Sequence, residues 1–96
     1  MPKGYIIANN RPRPNFTPPP AYREQFLKVL ADHNGKQIIR TVNFDVRQGK
    51  PNYAALIVVE FPDKASAIAA VEQYTRDAAP LLGEIDRELF VVEGID

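Results

Sequence analysis

His33 is the sole histidine of a chain that contains no cysteine, and together these facts narrow the available chemistry. A neutral imidazole can serve as a general base or as a haem ligand. The same side chain is also at home at the end of a helix, where the macrodipole favours a cation. One imidazole without thiolates falls short of a zinc ligand set, so no metal and no cofactor are expected. Ser66 is the single serine and lies in the first turn of a helical run, without a Gly-x-Ser-x-Gly elbow. Gly35-Lys36 and Gly49-Lys50 lack the spacing of a phosphate-binding loop.

Two further groups could act on a ligand. Arg40 and Glu60 could orient a carboxylate or an enolate, or they could simply satisfy one another as an ion pair. Tyr5, Tyr53 and Tyr74 are amphipathic and could line a pocket, although Tyr5 and Tyr74 also fit a core position with the hydroxyl near an edge. Glu84, Asp86 and Glu88 alternate near the last strand and read either as a cation site or as a solvated loop.

These residues need a scaffold, and the apolar pattern supplies one. Strand-like runs cover Tyr5 to Ala8, Ile38 to Val46, Ala54 to Phe61 and Asp86 to Glu93. A first helix is expected from about Pro19 to His33, with Tyr22, Phe26, Val29, Leu30 and His33 on one face. Thr17 and the prolines at 18, 19 and 20 start it, and Asn34-Gly35 stops it. Asp63 reads as the N-cap of a second helix, whose buried stripe is Ala67, Ile68, Val71, Tyr74 and Ala78. Pro80 and Gly83 end that helix. Residues 9–20 form a proline-rich loop, with a Pro-x-x-Pro-like spacing that also occurs in SH3 ligands.

The polar cluster Arg47 to Asn52 turns the middle strands into a hairpin. Parity then sets Phe44 against Leu56, Val42 against Val58 and Arg40 against Glu60. The order β-α-β-β-α-β is that of a ferredoxin-like α+β domain over residues 1–96, with an antiparallel four-stranded sheet. Two helices cover one face. Three strands look apolar on both faces, so Val42, Leu56, Val58, Leu89 and Val91 are expected to meet a second copy of the chain as a homodimer.

Twelve basic residues balance twelve acidic ones, so no net field draws nucleic acid or an anionic membrane. Arg11 and Arg13 make only a small local patch. The third strand lacks the stacking aromatics of an RNA-binding sheet. No apolar run approaches the roughly 20 residues of a membrane helix, and the start Met1 to Tyr5 runs straight into a strand. A cytoplasmic protein is the expectation.

The opening Met1-Pro2-Lys3-Gly4-Tyr5-Ile6-Ile7-Ala8, the His33-x-Gly35 helix exit, Arg40, the run Val58-Val59-Glu60-Phe61-Pro62 and the close Leu89 to Gly94 together resemble the domain of unknown function 1330 family. The resemblance spans nearly the whole chain. It implies a dimeric α+β barrel, a superfamily that includes cofactor-free quinol monooxygenases, haem-degrading monooxygenases and muconolactone isomerases. The proline-rich segment is longer than the family pattern, and the turn before Tyr74 is shorter. The functional expectation is a metal-free isomerase or oxygenase-like step in the barrel cavity, with His33, Arg40 and Glu60 as candidate catalytic groups. The alternative is a non-catalytic module that holds a small apolar ligand.

Overall fold

A computed structural model describes residues 2–11, 17–50, 55–83 and 86–95. Its elements follow in the order β1 (Gly4–Arg11), α1 (Pro20–Asp32), β2 (Lys36–Thr41), β3 (Ala55–Phe61), α2 (Lys64–Asp77), the short α3 (Ala79–Leu82) and β4 (Asp86–Glu93). The four strands form one antiparallel sheet in the order β2-β3-β1-β4. This is the ferredoxin-like topology expected from the sequence. The two outer strands are those that follow a helix, and β1 and β3 fill the centre.

Local chemistry explains the helix ends. Pro19 is the N-cap of α1 and Pro20 its first residue, where a missing N–H costs nothing. Asn34 takes a positive φ of 57° just past the end, the left-handed conformation that asparagine tolerates. At α2 the Asp63 carboxylate accepts the backbone N–H of Ser66 at 2.7 Å, which caps the helix and holds that carboxyl below its usual value. Pro80 does more than end α2: it lies in the first turn of α3, and Gly83, at φ 78°, closes that turn.

The core lies between the helices and one face of the sheet. Ile6, Val59 and Phe61 point to it from the strands, Val29 and Leu30 from α1, and Ala67, Ala70, Tyr74 and Ala78 from α2. The small residues of α2 let its backbone approach β1. The expected α2 stripe needs one correction. Ile68 is 42% exposed, while Ala70 and Gln73 are buried, because the helix is rotated to put alanines against the sheet.

The middle hairpin departs further from expectation. Strand β2 ends at Thr41, and residues 42–50 are irregular. Val42 is 74% exposed and forms no rung with Val58. A register shift between Gln37 and Ile39 turns the alternation over within β2. Beyond it Ile39 lies opposite Val58, Arg40 opposite Ile57 and Thr41 opposite Leu56.

Alternation along the ladders then assigns the second face of the sheet. It carries Ile7, Ile39, Leu56, Val58, Phe90 and Val92. Leu89 and Val91 belong to the helix side and pack on the core, so they are not part of the open surface expected of them. No helix among the described residues is long and apolar enough to cross a membrane.

Candidate functional site

Arg40 and Glu60 do not meet. The shifted register places Arg40 on the helix side, across from Ile57, whereas Glu60 is on the open side, across from Lys36 and Tyr5. The Glu60 carboxylate instead accepts a charge-assisted hydrogen bond from Lys3 Nζ at 2.9 Å. That hydrogen bond, and next the negative charge of Glu60, hold the Lys3 ammonium above its ordinary pKa.

Histidine 33 caps α1 and is half-buried. Its Nε2 is 2.7 Å from Gln73 Oε1, and Gln73 Nε2 donates to Asp32 Oδ2 at 2.9 Å. Lys28 Nζ donates to the same carboxylate oxygen at 2.7 Å. Lys28 first, and then Gln73, hold the Asp32 carboxyl below its usual value. This chain clasps α1 to α2. It holds His33 at the end of α1, outside the cleft described next.

Tyr5 lies on the open face, between Glu60 and Val92. Tyr53 falls outside the described residues, as do Arg13 and Glu84. Asp86 and Glu88 turn to Arg11, with Arg11 Nη1 to Asp86 Oδ1 at 2.7 Å and Arg11 Nη2 to Glu88 Oε1 at 3.8 Å. Arg11 of the basic patch therefore pairs with the two described members of the acidic alternation.

Tyr74 and Arg40 are the sequence candidates that reach a cavity. A cleft of about 860 Å³ opens between α1 and the helix side of the sheet. It lies within the range of small-molecule sites. Its origin is visible in the residue types. The C-terminal half of α1 is drawn down by Val29 and Leu30, packed with Val59 and Phe61. Its N-terminal half faces Gln37 and Arg40 of β2 and the small Ala8 and Ala55, which cannot fill the space. The helix therefore stands off the sheet at that end.

One wall of the cleft is aromatic. Tyr22 and Phe26, one turn apart on α1, stack with centroids 6.2 Å apart, and each meets the Tyr74 ring edge-to-face at 6.1 and 6.3 Å. The Tyr22 and Tyr74 hydroxyls share a hydrogen bond of 2.7 Å. Burial, and next the bond to Tyr22, push the Tyr74 phenol well above its ordinary pKa, with Arg87 opposing. It therefore stays a neutral hydroxyl. The Arg87 guanidinium carbon lies 4.8 Å from the Tyr74 ring centre, a cation–π distance.

Ile57, Val71 and Leu89 supply apolar floor. A second hollow of about 540 Å³ is lined, among the described residues, by the single loop segment around Asn43 to Lys50.

Sequence reasoning placed Tyr22 and Phe26 together on one face of the first helix and missed Arg87. The signal was present, because 87, 89 and 91 share parity and Leu89 and Val91 are apolar. Reading that alternation inward would have carried Arg87 to the same face. The cleft itself depends on the helix stand-off, which no local pattern encodes.

The chain has relatives by fold and by family. It is similar to the RPA0582 protein of unknown function from Rhodopseudomonas palustris, with a TM-score of 0.67 at 14% identity over 99% of this chain and 84% of that one. The methylated form of RPA0582 gives 0.68 at 15% identity over 99% and 82%. A dimeric ferredoxin-like protein of unknown function from Thermobifida fusca aligns over 96% of this chain and 91% of its own, at 18% identity and a TM-score of 0.38. No curated protein matches the sequence. The RPA0582 likenesses support the fold. The family Domain of unknown function (DUF1330) matches residues 3–95, so the resemblance in the opening, the helix exit and the closing strand holds across the molecule, and the chain belongs to that family.

Proposed function

We propose that this protein binds a small apolar molecule in the cleft between α1 and the helix side of the sheet, and that it works as a homodimer through the opposite face. The observation that carries the first part is the cleft itself. It is large enough for a ligand, walled by Tyr22, Phe26 and Tyr74, and supplied with a few polar groups at one end. Apolar enclosure with sparse, convergent polar groups is the general form of a small-molecule site. This reading moves the ligand from between two sheets, where the sequence led us to seek it, to beneath α1.

The dimer rests on the other face. Ile39 and Phe90 are each 42% exposed there, beside Ile7, Val58 and Val92. Burying a large apolar side chain contributes roughly 1.5–3 kcal/mol, a sizeable fraction of a small domain's stability. Ion pairs frame the apolar middle at both ends of β1, Lys3–Glu60 at one and Arg11–Asp86 at the other.

A catalytic reading, a metal-free isomerase or oxygenase-like step, would draw its proton donor from the Tyr22–Tyr74 pair, because His33 and Glu60 lie elsewhere. Binding without chemistry needs only the cleft. Native mass spectrometry of protein purified from its source, without denaturant, tests the reading. The expected species is two chains with retained organic mass that is lost when Leu27→Trp narrows the cleft mouth. A bare monomer at micromolar concentration would contradict both parts.

A further inference from the structure

The charges around the cleft are one-sided. Among its described lining residues are three arginines, Arg23, Arg40 and Arg87, and neither aspartate nor glutamate. The chain as a whole balances twelve cations with twelve anions, so the imbalance is local. Elsewhere several cations have a carboxylate partner, as in Lys3–Glu60, Arg11–Asp86, Lys28–Asp32 and Arg76–Asp77.

Arg87 is the informative one. It is half-buried, lies against the Tyr74 ring, and has no carboxylate partner among the described residues. A guanidinium taken partly out of water without an anion is costly. Its cross-strand neighbour is Asn10, whose buried Oδ1 has no hydrogen-bond partner, so these two polar groups do not satisfy each other. Tyr74 is held as a neutral phenol and supplies no counter-charge.

We infer that the ligand of this cleft is an apolar monocarboxylate, its carboxylate paired with Arg87 and its hydrocarbon or aromatic body lying along Tyr22, Phe26, Ile57 and Leu89. The inference rests on the proposed ligand-binding role of the cleft and adds the chemical class. A planar guanidinium matches a carboxylate in two parallel hydrogen bonds. A phosphate fits less well. Pro18, Pro19 and Pro20 contribute no N–H groups where α1 begins beside the cleft, so the usual anion cradle of a helix N-terminus is weakened there. Arg40 and Arg23 are exposed at the mouth and favour the approach of an anion.

The test separates charge from shape. The neutral fluorophore N-phenyl-1-naphthylamine reports occupancy, and 2-naphthoate and 2-naphthamide compete with it as acid and neutral isostere. In the unaltered protein naphthoate is expected to displace the probe at about tenfold lower concentration than naphthamide, the worth of one charge-assisted pair. In Arg87→Gln that advantage should shrink to about twofold, because the acid loses more than the amide. Equal potency of acid and amide in the unaltered protein would overturn the proposal without recourse to any variant. An acid advantage that survives Arg87→Gln would overturn it too. If the neutral fluorophore itself fails to bind saturably, the cleft reading fails first and the carboxylate proposal falls with it.

Discussion

Tyr22 and Tyr74 join α1 to α2 through a single hydrogen bond of 2.7 Å between their hydroxyls, at the end of α1 that stands off the sheet. Removing either hydroxyl strands the other, so Tyr22→Phe and Tyr74→Phe should each cost about 0.5–1.5 kcal/mol. The double variant should cost less than their sum. Urea denaturation of the four proteins checks this.

Alkaline pH should act through the same pair. Burial and the Tyr22 bond raise the folded-state value of Tyr74 above its unfolded one. The associated stability is fully present below the ordinary phenol range and is lost as pH rises through the raised value. Titration of tyrosinate absorbance should show a late step, above about pH 10, that is absent from Tyr74→Phe.

The clasp at the other end of α1 fixes a tautomer. Gln73 gives its amide N–H to Asp32 and turns its Oε1 to His33, so the imidazole must donate from Nε2. Nitrogen-15 spectra of the neutral ring should report the Nε2–H form. Gln73→Leu should free the ring and destabilise the fold by roughly 1–3 kcal/mol, without altering ligand affinity in the cleft.

Two glycines mark close approaches. A Cβ at Gly4 would stand 2.5 Å from the Asp63 carbonyl oxygen and 2.5 Å from Lys64 Cα, both backbone. At Gly35 it would stand 2.7 Å from Cε1 of Phe61, a ring that is only 1% exposed. Both alanine variants should lose about 1–3 kcal/mol or more. Gly4→Ala should lose more, because backbone cannot rotate aside. Thermal melts rank the two.

The open face predicts its own variant. Phe90→Glu would put like charges across the proposed two-fold interface and should convert the proposed dimer to a monomer with the chain mass of 10.8 kDa, as read by light scattering. The cleft on the other side of the sheet should keep its affinity. An unchanged dimer would remove the open face from the interface.

Much of this fold was legible because each element carries its own signal. Asp63 ahead of α2, the prolines ahead of α1, Asn34 after it and the apolar runs of β1, β3 and β4 are local patterns, and each does what its chemistry implies. The Arg40–Glu60 pair failed for a non-local reason. The irregularity near Ile38 is one residue in a six-residue strand and turns over the face of every residue beyond it, while the ladder already sets Lys36 rather than Arg40 opposite Glu60. Leu89 and Val91 were misplaced because β4 is apolar on both sides, so parity alone could not say which face meets the helices. The candidate site was half legible. Tyr74 was named, whereas Arg87 became meaningful only once Tyr74 lay under it and no carboxylate among the described residues paired with it.

The most direct measurement of the central claim is the location of a neutral ligand by chemical-shift mapping. With N-phenyl-1-naphthylamine titrated into labelled protein, the shifts should concentrate at Tyr22, Phe26, Ile57, Val71 and Leu89, saturating at one site per chain. Ile7, Val58 and Phe90 should stay still. Shifts confined to those three, with the aromatic wall of α1 and α2 undisturbed, would contradict a binding cleft beneath α1.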